Sequence, residues 1–294
     1  HMMAVAQNTR LGILLMIPTT MIFAVQDALS RHLAENHHVF MVVMIRYWFF
    51  AAFVIAMAAR APGGLRAAFQ TRHPWLQAVR GLLLVFEIAV VVIAFVKLGL
   101  VETHAVFTSA PLMVAALSGP ILGEKVGWRR WTAIGIGCIG VLIALNPGAG
   151  VFSIWSVLPL VAAAMFAVYG LLTRYVGRQD SAAVSFFWTG VVGAIAATVM
   201  GLPHLEPMTM ENAVMMAVLC CTACISHWML IRVYEIAEAS AVQPFAYLQL
   251  VWVSAIGVTL FGEVLRPNVV IGAVVVVAAG LFTLWRQRIR EKQG

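Results

Sequence analysis

The chain has 294 residues, 62% of them hydrophobic and 11% charged, with a mean hydropathy of +0.94. Soluble domains carry about 45–50% apolar and about 25% charged residues, so a soluble fold and a disordered chain are both excluded. The net charge of +7 would suit a nucleic-acid partner, but the basic residues lie in short runs between apolar blocks, so they read as topology signals and no nucleic acid is expected.

A hydrocarbon core of about 30 Å takes roughly 20 residues of helix. Divided at charged or Pro/Gly-containing breaks, the sequence predicts ten such helices: 11–33, 39–58, 76–97, 103–122, 129–146, 154–173, 181–201, 212–232, 240–261 and 268–286. The expected fold class is therefore all-α integral membrane, with ten transmembrane helices and connections too short for a separate soluble domain. The longest connection, 60–73, is polar and contains Pro62, Gly63 and Gly64. His1 and Met2 read as a tag remnant before Met3, and the first apolar stretch as a retained helix, being longer than a signal-peptide core.

With the N-terminus inside, the inner loops hold Arg10, Arg60, Arg66, Arg72, Lys125, Arg129, Arg130, Arg174, Arg178, Arg232, Arg286, Arg288, Arg290 and Lys292, against only Arg31, Lys97 and Arg266 outside. This bias predicts a multi-pass protein of the cell (inner) membrane with both termini cytoplasmic.

The halves of the chain repeat. FAVQDALSR at 23–31 aligns without gaps on FAVYGLLTR at 166–174, and Gly123-Glu124 at the end of the fourth helix matches Gly262-Glu263 at the end of the ninth. Five helices is an odd number, so the second copy enters the membrane from the opposite side. Residues 11–146 and 154–288 are thus expected to be two inverted five-helix repeats, an arrangement typical of secondary transporters with a site near the midplane. Pro18 and Pro159 fall in the paired first and sixth helices, Pro111 and Pro244 in the paired fourth and ninth. Each proline removes a backbone hydrogen bond and permits a hinge, although proline is also simply common in transmembrane helices.

PILGEKVGWRRWTAIGIGCIGVLIALNPG at 120–148, ASAVQPFAYLQLVWVSAIGVTLFGEVLRPNVVIGAVVVVAAG at 239–280, and Asp27 with Arg46 resemble the drug/metabolite transporter superfamily, EamA type. The resemblance covers nearly the whole chain, and the two Gly-Glu helix ends are its most specific element. It implies two inverted EamA repeats that move small metabolites, usually outward, by alternating access. Within the superfamily the chain is similar to the YddG type of amino-acid exporter. Other members carry riboflavin, S-adenosylmethionine, nucleotide sugars or drugs.

Ionised groups within a bilayer are functional candidates by default. Asp27, Arg46 and Glu87 qualify, whereas Arg80 is expected to snorkel to the inner interface. Asp27 and Arg46 lie about 9 and about 10 Å from the outer ends of their helices, so they are expected to meet, either as a bracing ion pair or with Arg46 exchanging Asp27 for a substrate carboxylate. Glu87, near the midplane, either binds a substrate amine, carries a proton, or is a protonated glutamate bonded within the bundle. Neutral candidates for substrate binding are Gln26 and its repeat counterpart Tyr169, Thr108, His227, Trp228, Gln243 and Tyr247; Gln249 is expected to point elsewhere. Glu124 and Glu263 read as gates or as bonds to neighbouring helix ends.

The expected function is secondary export of small metabolites, most simply amino acids including aromatic ones, with riboflavin or S-adenosylmethionine as the alternative cargo. Integral membrane enzymes using His104, His227 and Glu87 are disfavoured by the separate depths of the two histidines. Cys220, Cys221 and Cys224 lack a second ligand pair, so no metal is expected. No cofactor is expected, and no Walker, HExxH or GxSxG motif occurs. The expected partners are the small-molecule substrate, the lipid bilayer and a coupling proton, for a monomer or homodimer.

Overall fold

The computed structural model describes residues 8–123, 125–146, 154–236 and 243–293, without the side chains of Thr9, Ile231, 234–236, Gln243, Pro244, Gln287, Arg290 and Glu291. Glu124 and the side chains of Gln243 and Pro244 therefore lie outside the described residues.

Among the described residues every regular element is helical. Among the described residues nine helices are long and apolar enough to cross a membrane, and Phe245–Leu260 is a shorter apolar helix. In chain order the spans are the first, Thr9–Asn36; the second, Val39–Arg60; the third, Pro74–Leu98; and the fourth, Leu100–Phe107 continued by Ala110–Leu122. The fifth is Trp128–Leu145, the sixth Leu158–Val176 after a 3₁₀ turn Ile154–Val157, and the seventh Ala182–Gly201. The eighth is Met210–Ile236, the ninth Leu248–Leu260 after a 3₁₀ turn Gln243–Tyr247, and the tenth Pro267–Glu291. One short helix, Gly64–Phe69, lies in the connection between the second and third spans.

Local chemistry starts and stops these helices. Asn8 Oδ1 accepts from the Leu11 amide at 3.1 Å, His38 Nδ1 from the Phe40 amide at 3.1 Å and Ser181 Oγ from the Val184 amide at 3.3 Å, each satisfying an orphan amide of a first turn. Gly99, at φ 93°, reverses the chain between the third and fourth spans in one residue, a conformation that a side chain would strain. Pro159 is in the first turn of its helix, where proline fits without bending anything, so it is not a mid-helix hinge. Pro111 likewise follows the break at Thr108 and Ser109. Pro18 is inside the first helix.

The first span packs chiefly on the eighth and ninth, and the third on the sixth and seventh. The fourth packs on the sixth, the second on the seventh, and the fifth on the tenth. The main core joins Ala24, Val43, Tyr47, Val85, Val92, Phe95, Leu100, Ala197 and Val253. A separate cluster of Val106, Leu112, Val141, Ala144, Val276 and Ala279 joins the fourth span to the fifth and tenth. Gly140 and Gly272 make the last pair close: a Cβ at Gly272 would lie 2.6 Å from the Gly140 carbonyl oxygen. Leu14, Ile195, Val199 and Leu260 are largely exposed, as suits a lipid-facing surface and not a wetted one.

Candidate functional site

Successive residues of a helix point about 100° apart. Gln26 and Asp27 use that difference to address two sides of the first span. With its amide oxygen toward the guanidinium, Gln26 accepts from Arg46 Nη2 at 2.7 Å and Nη1 at 3.2 Å and donates to Ser226 Oγ at 3.2 Å. The Ser226 hydroxyl donates to the Ala223 carbonyl at 3.1 Å. Asp27 instead turns to the fourth and ninth spans. Its Oδ2 lies 3.0 Å from His104 Nε2 and accepts from Gln249 Nε2 at 2.9 Å.

The expected Asp27–Arg46 ion pair is therefore not formed. Arg46 is met by a neutral carbonyl, because the first span lies against the eighth and ninth and presents Asp27 away from the second. Gln249, expected to point elsewhere, is one of the partners of Asp27. His104 is buried, at 7% exposure, because the fourth span begins at Leu100 and so carries His104 a turn inside the helix.

Glu87 is 4% exposed and has Arg46 and Asp27 as its charged neighbours. Among the described residues it makes neither a hydrogen bond nor an ion pair. Tyr47 is as deeply buried, with its hydroxyl unpartnered and Arg46, Tyr169 and Glu87 around it. Gly193 makes room for its ring, since a Cβ there would collide with it. Phe23 meets His227 edge-on at 5.3 Å, and Phe50 lies 6.2 Å from the same imidazole. Trp252 Nε1 donates to Thr20 Oγ1 at 3.1 Å. The result is an arginine, a carboxylic acid and a phenol with unused bonding capacity, flanked by aromatic rings.

Polar clasps lie toward both faces. On the face that carries the chain ends, Arg80 is 1% exposed and does not snorkel. It donates to Thr173 Oγ1 at 2.8 Å and Gln77 Oε1 at 2.5 Å, and sits over the Tyr169 ring at 5.1 Å. Gln77 Nε2 donates to Asp180 Oδ2 at 2.9 Å, and Asp180 also accepts from the Thr71 hydroxyl and the Arg72 amide at 3.1 Å. Burial pushes the Asp180 carboxyl up, but these hydrogen bonds, with His73 nearby, together hold it below the ordinary carboxylate range. On the opposite face Glu263 accepts from the amides of Leu100 at 2.7 Å and Val101 at 3.0 Å and pairs with Arg31. It thereby ties the connection after the ninth span to the first and fourth.

Three of the expected binding residues stand apart from this centre. Trp228 is 50% exposed; Thr108 donates to its own helix at the Ala105 carbonyl, 2.8 Å away; and the Tyr247 hydroxyl packs against Gly280 of the tenth span. Tyr169 bridges the centre and the clasp, near Tyr47 and under Arg80. The residues that sequence reasoning missed are His104, Gln249, Tyr47, Gln77 and Asp180. A groove of about 600 Å³ lined by Ile55, Leu65, Arg66, Phe69, Gln70, Phe187 and Val191 lies away from the polar centre. Among the described residues no group of three His, Cys, Asp or Glu side chains is placed to hold a metal.

Residues 10–146 match the EamA-like transporter family. The chain is 25% identical to an S-adenosylmethionine uptake transporter of Rickettsia prowazekii over 266 residues, 90% of this chain and 89% of that one. It is 25% identical to a riboflavin transporter of Vibrio cholerae over 297 residues, 99% of both. A solved crystal structure 17% identical in sequence superposes over 95% of this chain and 99% of that one with a TM-score of 0.61, which speaks for the fold alone. The family match spans just under half of the chain, and both of these relatives, at 25% identity, are named as transporters of small molecules.

Proposed function

We propose that the chain moves a small cationic or zwitterionic metabolite bearing a flat heterocycle, of the S-adenosylmethionine class, by alternating access between two inverted five-span repeats. Glu87 carries this reading. A buried carboxyl with no partner is costly, and a substrate cation seated beside it removes that cost. Arg46, held by a neutral amide, remains free to meet a substrate carboxylate, and Phe23, Phe50 and His227 offer ring faces. The relatives named for S-adenosylmethionine uptake favour this cargo over the amino acids expected from sequence.

The packing pattern supports the repeats. Exchanging spans one to five with six to ten turns the contact of the first with the eighth into that of the sixth with the third. It likewise turns first-on-ninth into sixth-on-fourth and leaves second-on-seventh and fifth-on-tenth unchanged. The arginine and lysine bias favours cytoplasmic termini. A second reading, riboflavin, draws on the Vibrio cholerae relative that spans the full chain, but riboflavin is neutral and leaves Glu87 without a role.

The test is uptake of S-adenosylmethionine, riboflavin and tryptophan into proteoliposomes by the wild type and Glu87→Gln. Loss of a bond to a charged group, worth about 1.5–3 kcal/mol, predicts roughly 10- to 150-fold weaker S-adenosylmethionine binding in the variant. Unaltered affinity in Glu87→Gln, or transport of riboflavin alone, would overturn the cation reading.

A further inference from the structure

The Asp27–His104 pair offers a function that neither the family match nor the relatives assign. His104 Nδ1 lies 2.9 Å from the Leu100 carbonyl oxygen and Nε2 lies 3.0 Å from Asp27 Oδ2. A backbone carbonyl has no proton to give, so Nδ1 must donate. An ionised carboxylate likewise only accepts. Both contacts are satisfied together only when the pair holds one proton more than a neutral imidazole and a carboxylate. Gln249 donates to the same Oδ2, which favours the charged oxygen and so the imidazolium form. Phe95 stacks on the imidazole, with centroids 5.1 Å apart and planes 6° off parallel, covering one face of the ring.

A proton on the imidazole also leaves the Asp27 carboxylate facing a cation, a pairing that a low-dielectric medium favours over an unpaired carboxylate. The other charged groups around the fourth span are otherwise occupied. Arg31 pairs with Glu263 and Glu35, Lys97 lies over Trp155, and Glu102 lies beside Arg266 and Glu263. The fifth and sixth spans carry Arg129, Arg130 and Arg174 only at their far ends, and the ninth span carries no charge.

We propose that Asp27 and His104 form the proton-binding site of this carrier, loaded while the Glu263 face is closed and emptied as it opens. Leu100 supplies the linkage. Its amide donates to Glu263 at 2.7 Å while its carbonyl accepts from His104, so breaking the clasp disturbs the acceptor that fixes the imidazole. The proposal rests on the transport reading above for its role in a cycle, though not for the existence of the proton.

Two measurements test it. In ¹⁵N-histidine-labelled full-length protein, with His104 identified by the signals lost in His104→Asn, both ring nitrogens of His104 are expected to be protonated at pH 7.5, where a free imidazole is about tenfold in favour of the neutral form. Asp27→Asn is expected to remove the second ring proton. A single ring proton on wild-type His104 at that pH, with Asp27 ionised, overturns the proposal.

In proteoliposomes, S-adenosylmethionine accumulation is read with and without a one-unit pH gradient and expressed as a ratio within each protein, so that a slower variant is still informative. The ratio is expected to approach about tenfold for one coupled proton and to fall to one in His104→Asn. A ratio retained in that variant overturns the assignment. Absence of transport of both S-adenosylmethionine and riboflavin by the wild type refutes the cargo reading instead, and the histidine spectrum then decides the proton site by itself.

Discussion

Replacing Glu263 by alanine isolates the clasp on the face away from the chain ends. The carboxylate accepts from the Leu100 and Val101 amides, two of the four donors that the first turn of the fourth span cannot satisfy within itself. It also neutralises Arg31, whose side chain is 13% exposed. A hydrogen bond to a charged acceptor contributes about 1.5–3 kcal/mol, and loss of a helix cap alone costs about 0.5–2 kcal/mol. Since water reaches part of this site, about 3 kcal/mol is the expected loss for the whole constellation. For a chain of this size about 2–4 °C accompanies each kcal/mol, so the melting temperature of the detergent-purified variant should fall by about 6–12 °C. The loop itself stays in place, because the Glu263 amide donates to the Gly257 carbonyl at 3.0 Å in both proteins. Glu263→Gln should fall in between, its single amide oxygen serving one of the two donors. Glu35→Ala is the control: Glu35 also meets Arg31, at 3.1 Å, but is exposed, and such pairs are worth about 0–1 kcal/mol. If Glu263→Ala melts together with Glu35→Ala, the clasp contributes nothing and the reasoning fails.

Asp180→Asn probes the other face. Because hydrogen bonds hold this carboxyl below its ordinary value, the stabilisation is present above about pH 4 and is lost as pH falls through the lower folded-state value. Melting curves of wild type and variant should thus differ at pH 7 and draw together on acidification below about pH 4; a gap that widens on acidification would contradict the sign. Gly193→Ala puts a Cβ into the Tyr47 ring, which is buried on every side and cannot swing away, so about 1–3 kcal/mol of destabilisation is expected from overpacking. Gly135→Ala has nothing within 4 Å of the added carbon and should be neutral or mildly stabilising by helix propensity, measured in the same melts.

The span boundaries were legible because bilayer thickness imposes one length on every helix, and the apolar runs end where charges and glycines begin. Glu87 and Arg46 were legible for the same reason: a charge inside an apolar run stands out. Their partners were not. Helix order along the chain suggested that the first and second spans meet face to face, whereas the first lies on the eighth and ninth, and that rearrangement moved Asp27 from Arg46 to His104 and Gln249. The burial of His104 was not legible either, because the fourth helix begins at Leu100 and not at 103, which sets the imidazole a turn inside the helix. Arg80 was misread since a long side chain near an interface can snorkel; it stays buried because Thr173, Gln77 and the Tyr169 ring satisfy it in place, and none of these is adjacent in sequence except Gln77. The one available signal was Gln77-x-x-Arg80, two polar side chains one helical turn apart on an otherwise apolar face.

Substrate charge connects the proposed proton site to the proposed cargo. S-adenosylmethionine, with a sulfonium, an ammonium and a carboxylate, brings one net positive charge, and on this proposal the Asp27–His104 pair offsets it by giving up its proton. Riboflavin brings none and leaves that proton where it is. Calorimetric titration in two buffers of different ionisation enthalpy reads the difference directly: about one proton released per S-adenosylmethionine bound, and about none per riboflavin. In Asp27→Asn the second ring proton has already gone, so S-adenosylmethionine should bind without release. Release of a proton with riboflavin, or equal release in wild type and Asp27→Asn, would break the link between substrate charge and the histidine and would leave Glu87 as the group that titrates.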